Sequence, residues 1–158
     1  MAVTGLQVRF AEKGDLKQAK EILEKSFTGS YRYWSELLLG RLDTLVAIMD
    51  GRVVGVAEIY TKDTKTHGKI GVISFIAVDP GYRGRGIGKN LVAEAEKIFR
   101  EHGCRYSAAS TRRDNLASIG MFTKMGYALY RRGEKEFEEL EGPLYAYEDD
   151  IILVKKLG

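Results

Sequence analysis

The stretch that most constrains this 158-residue chain runs from Gly71 to Gly88. Gly71 to Val78 is an apolar, β-leaning run and predicts a buried strand. Asp79-Pro80-Gly81 must end that strand, because Pro80 has no N–H for a ladder and Gly81 favours a turn. A long helix is predicted to begin within Arg83-Gly84-Arg85-Gly86. Ile87, Leu91, Ala95, Ile98 and Phe99 then share one face, and Gly103 supplies a stop. A strand, a glycine-rich turn and a helix N-terminus in this order make an anion site. Glycines let a ligand approach the backbone, and the free N–H groups and helix dipole favour negative charge. Arg83, Arg85 and Lys89 add positive side chains.

Two familiar phosphate loops do not fit. A P-loop needs Gly at position 83 and Ser or Thr after the lysine, where this chain has Arg83 and Asn90. The dinucleotide fingerprint needs Gly at position 89, which is Lys89.

Around this segment the chain reads as one domain, residues 1–158. Its length suffices for a single core and its apolar and charged fractions are those of a globular protein. No run of about 18 apolar residues occurs, so no membrane partner is expected. The start shows no basic-then-apolar leader pattern. With Cys104 the single cysteine, no internal disulfide can form, and a cytoplasmic location is the expectation. Two Asn, two Gln and one Cys point to a thermophilic source. A net charge of +3 is too small to imply a nucleic-acid partner. The acids are unevenly placed: Glu134, Glu136, Glu138, Glu139, Glu141, Glu148, Asp149 and Asp150 face one base, Lys135, within residues 134–150. That segment either attracts a cation or is a solvated surface.

In chain order the expected elements are a short strand over Leu6 to Phe10, a helix N-capped at Gly14-Asp15, and a second helix from Ser30 to Gly40. Strands Leu45 to Met49 and Arg52 to Tyr60 are joined at Asp50-Gly51, a type I′ hairpin signal. After the strand from Gly71 and the long helix come a strand over Cys104 to Ser110 and a helix capped by Asp114 or Asn115 and stopped by Gly126. Strands from Tyr127 and from Ile151 follow, separated by a long connection over residues 132–147 with room for a helical turn. The order predicts an α/β fold, a mixed sheet flanked by helices.

Val78-Asp79-Pro80-Gly81-Tyr82-Arg83-Gly84-Arg85-Gly86-Ile87-Gly88 resembles the acetyl-CoA pyrophosphate loop of the GNAT N-acetyltransferase family at every fixed position of V-x-P-x-Y-R-G-x-G-I-G. Asn115 to Tyr127 is similar to the family's second signature, N-x-x-[AS]-x-x-x-Y-x-x-x-G-[FY]. Glu148-Asp149-Asp150-Ile151-Ile152-Leu153 is similar to the ends of members that acetylate protein N-termini. The resemblance spans residues 3–157 and implies the GNAT acyl-CoA N-acyltransferase fold. It implies acetyl-CoA as cosubstrate, with no metal, and a monomer or homodimer. The pyrophosphate would lie on Arg83, Gly84, Arg85, Gly86, Ile87, Gly88 and Lys89, and the pantetheine arm along Ile76, Ala77 and Val78. Asn115, Ser118 and Phe122 of the second signature would complete the cofactor site, and an N–H near Ala77 would polarise the thioester oxygen.

The departures from the family pattern concern protons. The signature tyrosine, the usual acid, is Phe122 here. Two positions that carry a glutamate base in other members are Val72 and Ser110. Glu58 is the one carboxylate in an otherwise apolar strand. It is either a base working through water or the solvent-facing residue of an alternating strand. Tyr127 and Tyr130 are the candidate acids, or core residues with satisfied hydroxyls. A lysine amine is neutral about 0.04% of the time at pH 7 and an α-amine roughly 10%. The lack of a dedicated glutamate therefore leans toward an α-amine. The implied function is acetyl transfer to a protein N-terminal α-amine or lysine. A polyamine-like small amine is the nearest rival, and a catalytically weak acyl-CoA-binding regulatory module is the third reading.

Overall fold

The computed structural model describes residues 3–158. Within them the strands are β1 (Gln7–Phe10), β2 (Asp43–Met49), β3 (Arg52–Thr64), β4 (Gly68–Val78), β5 (Tyr106–Thr111), β6 (Ala128–Arg131) and β7 (Ile151–Lys156). The α-helices are α1 (Leu16–Ser26), α2 (Gly29–Leu38), α3 (Ile87–Glu101), α4 (Leu116–Lys124) and α5 (Lys135–Leu144). The strand order is β1-β2-β3-β4-β5-β7-β6. The β4–β5 pair is parallel, whereas β1–β2, β2–β3, β5–β7 and β6–β7 are antiparallel. This is the expected mixed sheet flanked by helices. No helix among the described residues is long and apolar enough to cross a membrane.

The chain divides into two compact units. One comprises the residues up to Tyr60 together with Phe75–Ala95, the other Thr61–Ser74 together with Glu96–Gly158. In the first, Ala19, Ile22 and Leu23 of α1 pack with Val46, Val53, Val56 and Ala77 on one side of the strands. On the other side Gly55 admits α3. A Cβ there would stand 3.0 Å from Leu91 Cδ1 and 3.2 Å from Ile87 Cγ2. The Asp50-Gly51 turn has φ of 55° and 72°, the two positive values that a type I′ hairpin requires.

In the second unit the register of β4 with β5 runs from Ile70↔Tyr106 to Ile73↔Ala109, and β7 pairs on the other side of β5. Phe99 lies over Gly71, fully buried. Its helix stops at Gly103 (φ 76°), and Cys104 is buried as a small apolar residue.

Two local expectations are corrected. Residues 132–147 are not a loop with a single helical turn, because α5 occupies ten of them. Phe137, Leu140 and Leu144 form its buried stripe; the dense acids around them masked that periodicity. The Asp15 carboxylate does not cap α1. It accepts from the Glu12 N–H (2.7 Å) and from Arg9 Nη1 (2.7 Å), closing a 3₁₀ turn before the helix.

Candidate functional site

The loop between β4 and α3 is built by local rules. β4 ends at Val78, and Asp79 anchors the exit: its N–H donates to the Val54 carbonyl (2.8 Å) and its Oδ1 accepts from the Gly81 N–H (2.9 Å). A single 3₁₀ turn, Pro80–Tyr82, follows. Gly84 (φ 79°) and Gly86 (φ 81°) then take left-handed conformations that a residue with a Cβ rarely adopts. α3 starts at Ile87, whose side chain is buried, while the flanking positions are open. A Cβ at Gly84 would meet nothing within 4 Å, and one at Gly86 only Val3 Cγ2 at 3.7 Å. The first N–H groups of a helix have no carbonyl partner within it. These residues form a cradle of backbone donors with space in front, which fits a pyrophosphate.

The cations of the loop are partly committed. Arg83 Nε donates to the Val78 carbonyl (3.0 Å) and its Nη2 lies 3.4 Å from Ser26 Oγ. Arg85 stacks 4.9 Å from the Tyr82 ring centroid. Both residues are exposed, as is Lys89. Upstream, Ala77 is buried while Ile76 and Val78 are half-buried; all three lie past Ile73, where the register with β5 ends.

In the second unit Asn115 resolves the choice of cap. Its Oδ1 accepts from the Ser118 N–H (3.3 Å), and its Nδ2 donates to Thr111 Oγ1 (3.0 Å). Ser118 is half-buried. Phe122 is buried and meets the Tyr127 ring edge-on at 4.9 Å. Tyr127 is buried between two partners: its hydroxyl donates to Glu96 Oε2 (2.7 Å) and lies 2.7 Å from Ser107 Oγ. Lys155 Nζ completes the group, 3.0 Å from Glu96 Oε1. Burial pushes the Tyr127 phenol above its ordinary range, so it releases a proton less readily than an exposed tyrosine. Tyr127→Phe is therefore expected to cost about 1–3 kcal/mol of stability, because buried Glu96 loses a donor, while acetyl transfer persists. Thermal melts and a CoA-release assay check this; loss of transfer with the fold intact would make Tyr127 the acid. Tyr130 sits elsewhere, with Thr66, His67, Tyr106, Lys135, Glu136, Glu139 and Val154 around a cavity of about 330 Å³.

Two features escaped sequence reasoning. Ser110, where the resemblance implied a glutamate in some members, has a carboxylate against it after all. Its Oγ donates to Asp149 Oδ2 at 2.7 Å, and Asp149 is buried. No local signal links residues 39 apart. The second concerns Glu58, which is not a solvent-facing residue. β3 is buried on both faces from Val53 to Ile59, and Glu58 is 0% exposed. Among the described residues neither of its carboxylate oxygens has a hydrogen-bond partner. Burial pushes this carboxyl from the usual 4.5 up to about 8. The alternation that suggested a wet face cannot be read from a strand covered on both sides.

The sequence model of the Acetyltransferase (GNAT) family matches residues 15–127. A "Probable N-acetyltransferase HLS1" of Arabidopsis thaliana is 36% identical over 84 residues, covering 52% of this chain and 20% of that protein. The glucosamine 6-phosphate N-acetyltransferase of Trypanosoma brucei brucei is 33% identical over 84 residues, 52% of this chain and 55% of that protein. The chain thus spans between a fifth and just over half of these relatives' lengths. Among solved structures, the NatC complex bound to Gag peptide and CoA superposes with a TM-score of 0.72 at 18% identity, covering 98% of this chain and 100% of that one. With most of its length matched by the family model and its loop shaped as described, the chain belongs to the GNAT family of acetyltransferases.

Proposed function

We propose that this chain transfers the acetyl group of acetyl-CoA to a primary amine, with a protein N-terminal α-amine or lysine as the favoured acceptor. The observation that carries the reading is the open Gly84–Gly86 cradle at the start of α3, whose backbone donors suit the CoA pyrophosphate. Arg83, Arg85, Ile87, Gly88 and Lys89 belong to that cradle. Ile76, Ala77 and Val78 are the residues for the pantetheine arm, with Asn115, Ser118 and Phe122 of α4 and its cap as further contacts. Acetyl-CoA supplies the activated acyl group; the protein supplies binding, orientation and proton handling, for which Glu58 and Tyr130 are the candidates, the Tyr127 hydroxyl being held by Glu96 and Ser107.

For the acceptor, support comes from charge. Helix α5 carries Glu136, Glu138, Glu139 and Glu141, and Glu148 is exposed just after it. Several like charges together raise the encounter rate of a cation, and salt weakens the effect. The same charges favour the second reading, a polyamine-like amine. Some of the acids have structural duties. Glu141 pairs with Arg132 (2.7 Å), Glu134 accepts from the Arg131 N–H, and Asp150 from the Arg113 N–H. A charge-reversal test therefore belongs at exposed Glu138 rather than at buried Asp149.

The deciding experiment is a panel of basic and acidic peptides, polyamines and amino acids, with release of free CoA as the readout. Basic acceptors are expected to outperform acidic ones several-fold at low salt, with an advantage that shrinks as salt rises. Glu138→Lys should raise the acceptor KM and leave that of acetyl-CoA unchanged. Equal rates for acidic and basic acceptors at low salt would make the acids a solvated surface, and no turnover of any amine would refute acetyl transfer.

A further inference from the structure

The cavity of about 330 Å³ beside Tyr130 lies wholly within the second unit and is lined by no residue of the anion loop or of α4. Strand register sets its floor. Ala108 pairs with Val154, and Ile152 with Tyr130. Residues two apart on a strand share a face, as do residues directly opposite on neighbouring strands. Tyr106, Val154 and Tyr130 therefore stand on one face of the sheet. Helix α5 brings Lys135, Glu136 and Glu139 to the same opening, through spacings of i, i+3 and i, i+4. The β3–β4 turn closes a further side with His67, whose ring meets the Tyr106 ring edge-on at 5.2 Å.

The polar groups around this opening are unpaired. Glu141 of the same helix is bound to Arg132. Lys135 and Glu139 have the spacing of a helical ion pair, yet among the described residues neither they nor Glu136 form one. The hydroxyls of Tyr106 and Tyr130 likewise bond to no protein group among the described residues. Nor does the fold itself account for these charges. Lys135 opens α5, where a cation opposes the helix dipole. Glu138 is exposed and solvated, whereas Glu136 and Glu139 are half-buried. Half-buried charges without partners lose solvation, and a ligand of complementary charge recovers it.

One ammonium and two carboxylates around an aromatic-walled opening suit a ligand with one carboxylate and two cationic groups on a short carbon stem. We infer that this cavity binds a free basic α-amino acid, with arginine preferred over lysine. Lys135 receives the α-carboxylate. Glu136 and Glu139 receive the α-ammonium and the side-chain cation. The Tyr106 and Tyr130 rings flank the stem, and the attraction of a cation to an aromatic face adds to the charge pairs. A guanidinium meets a carboxylate through two parallel hydrogen bonds and stacks on aromatic rings, which an ammonium cannot match. The volume is that of a small-molecule site. An amine held by carboxylates keeps its proton, so the occupant is a bound ligand and not the amine that is acetylated. The site therefore does not rest on the acetyl-transfer reading. Occupancy ties α5 to the β3–β4 turn and stabilises the folded chain.

The test is calorimetry on the full chain without CoA, using L-arginine and three relatives that each lack one charge. Agmatine lacks the carboxylate, N-acetylarginine the α-ammonium, and citrulline the side-chain cation. L-Arginine is expected to bind at about 1 mM or tighter, and each relative at least about tenfold more weakly. L-Arginine should also raise the melting temperature as its concentration rises. Glu139→Gln should weaken arginine at least about tenfold. Lys135→Met should bring arginine and agmatine to within about threefold of each other, because the carboxylate then has no partner to lose. Circular dichroism checks that both variants fold. Absence of L-arginine binding up to about 10 mM would overturn the inference. So would equal affinity for agmatine or citrulline, or an arginine affinity that neither substitution changes.

Discussion

Gly86→Val is expected to abolish CoA binding while leaving the protein folded. Gly86 has φ of 81° on a half-buried loop, and a Cβ placed there meets only Val3 Cγ2 at 3.7 Å. Space inside the protein is therefore not the obstacle. A β-branched residue is strained by about 1–3 kcal/mol in this conformation, so the loop shifts. The added methyls also stand where a phosphate would have to approach the backbone donors. Both effects act on the ligand more than on the core, because the neighbouring anchors Asp79 and Ile87 are untouched. Affinity should fall by more than about 100-fold, the loss of two or more charge-assisted hydrogen bonds at about 1.5–3 kcal/mol each. Arg83→Ala should cost only a few-fold, because its guanidinium is exposed and already bonded to the Val78 carbonyl. Calorimetry with CoA checks both, and unchanged affinity in Gly86→Val would remove the backbone cradle from the account.

Gly71→Val should prevent folding or lower the melting temperature drastically. A Cβ on Gly71 would lie 2.1 Å from Phe99 Cγ and 2.3 Å from both Cδ atoms. Phe99 is fully buried in α3, and Gly71 is fixed by its pairing with Ser107 on β5, so neither side can yield cheaply. Overpacking of well-filled cores costs typically 1–3 kcal/mol. A clash this deep with an aromatic ring exceeds that range, so the expected loss is at least about 3 kcal/mol. Phe99→Ala alone should cost about 3–5 kcal/mol through the cavity it leaves. The double variant should be more stable than the sum of the two losses requires, because each change occupies or vacates the same space. Additive losses in denaturant unfolding would show that the helix accommodates the side chain by moving.

The contrast between these two glycines shows what could be read from the sequence. The conformation of Gly86 was legible because its cause is local. Strand, turn and helix start occupy consecutive residues, and left-handed conformations in a helix-capping loop select glycine by backbone sterics alone. The hairpin at Asp50-Gly51, the stops at Gly103 and Gly126 and the Asn115 cap follow from equally short-range rules, and each stands where the sequence put it. Gly71 looked like an ordinary member of an apolar strand. Only the packing of a residue 28 positions later explains why it carries no side chain.

The fold of this protein and the backbone course of its Gly84–Gly86 loop were thus determined by the sequence itself, through periodicity, turn chemistry and one contiguous motif. Tertiary structure alone decided three things. It hid the acids' helix from view, because the three buried residues of α5 signal a helix only once there is a surface for them to cover. It bound the Tyr127 hydroxyl to Ser107 and Glu96, which lie 20 and 31 residues away. And it enclosed Glu58 without a hydrogen-bond partner among the described residues, which no local pattern reveals, because whether a carboxylate is solvated depends on which elements close over its strand from both sides.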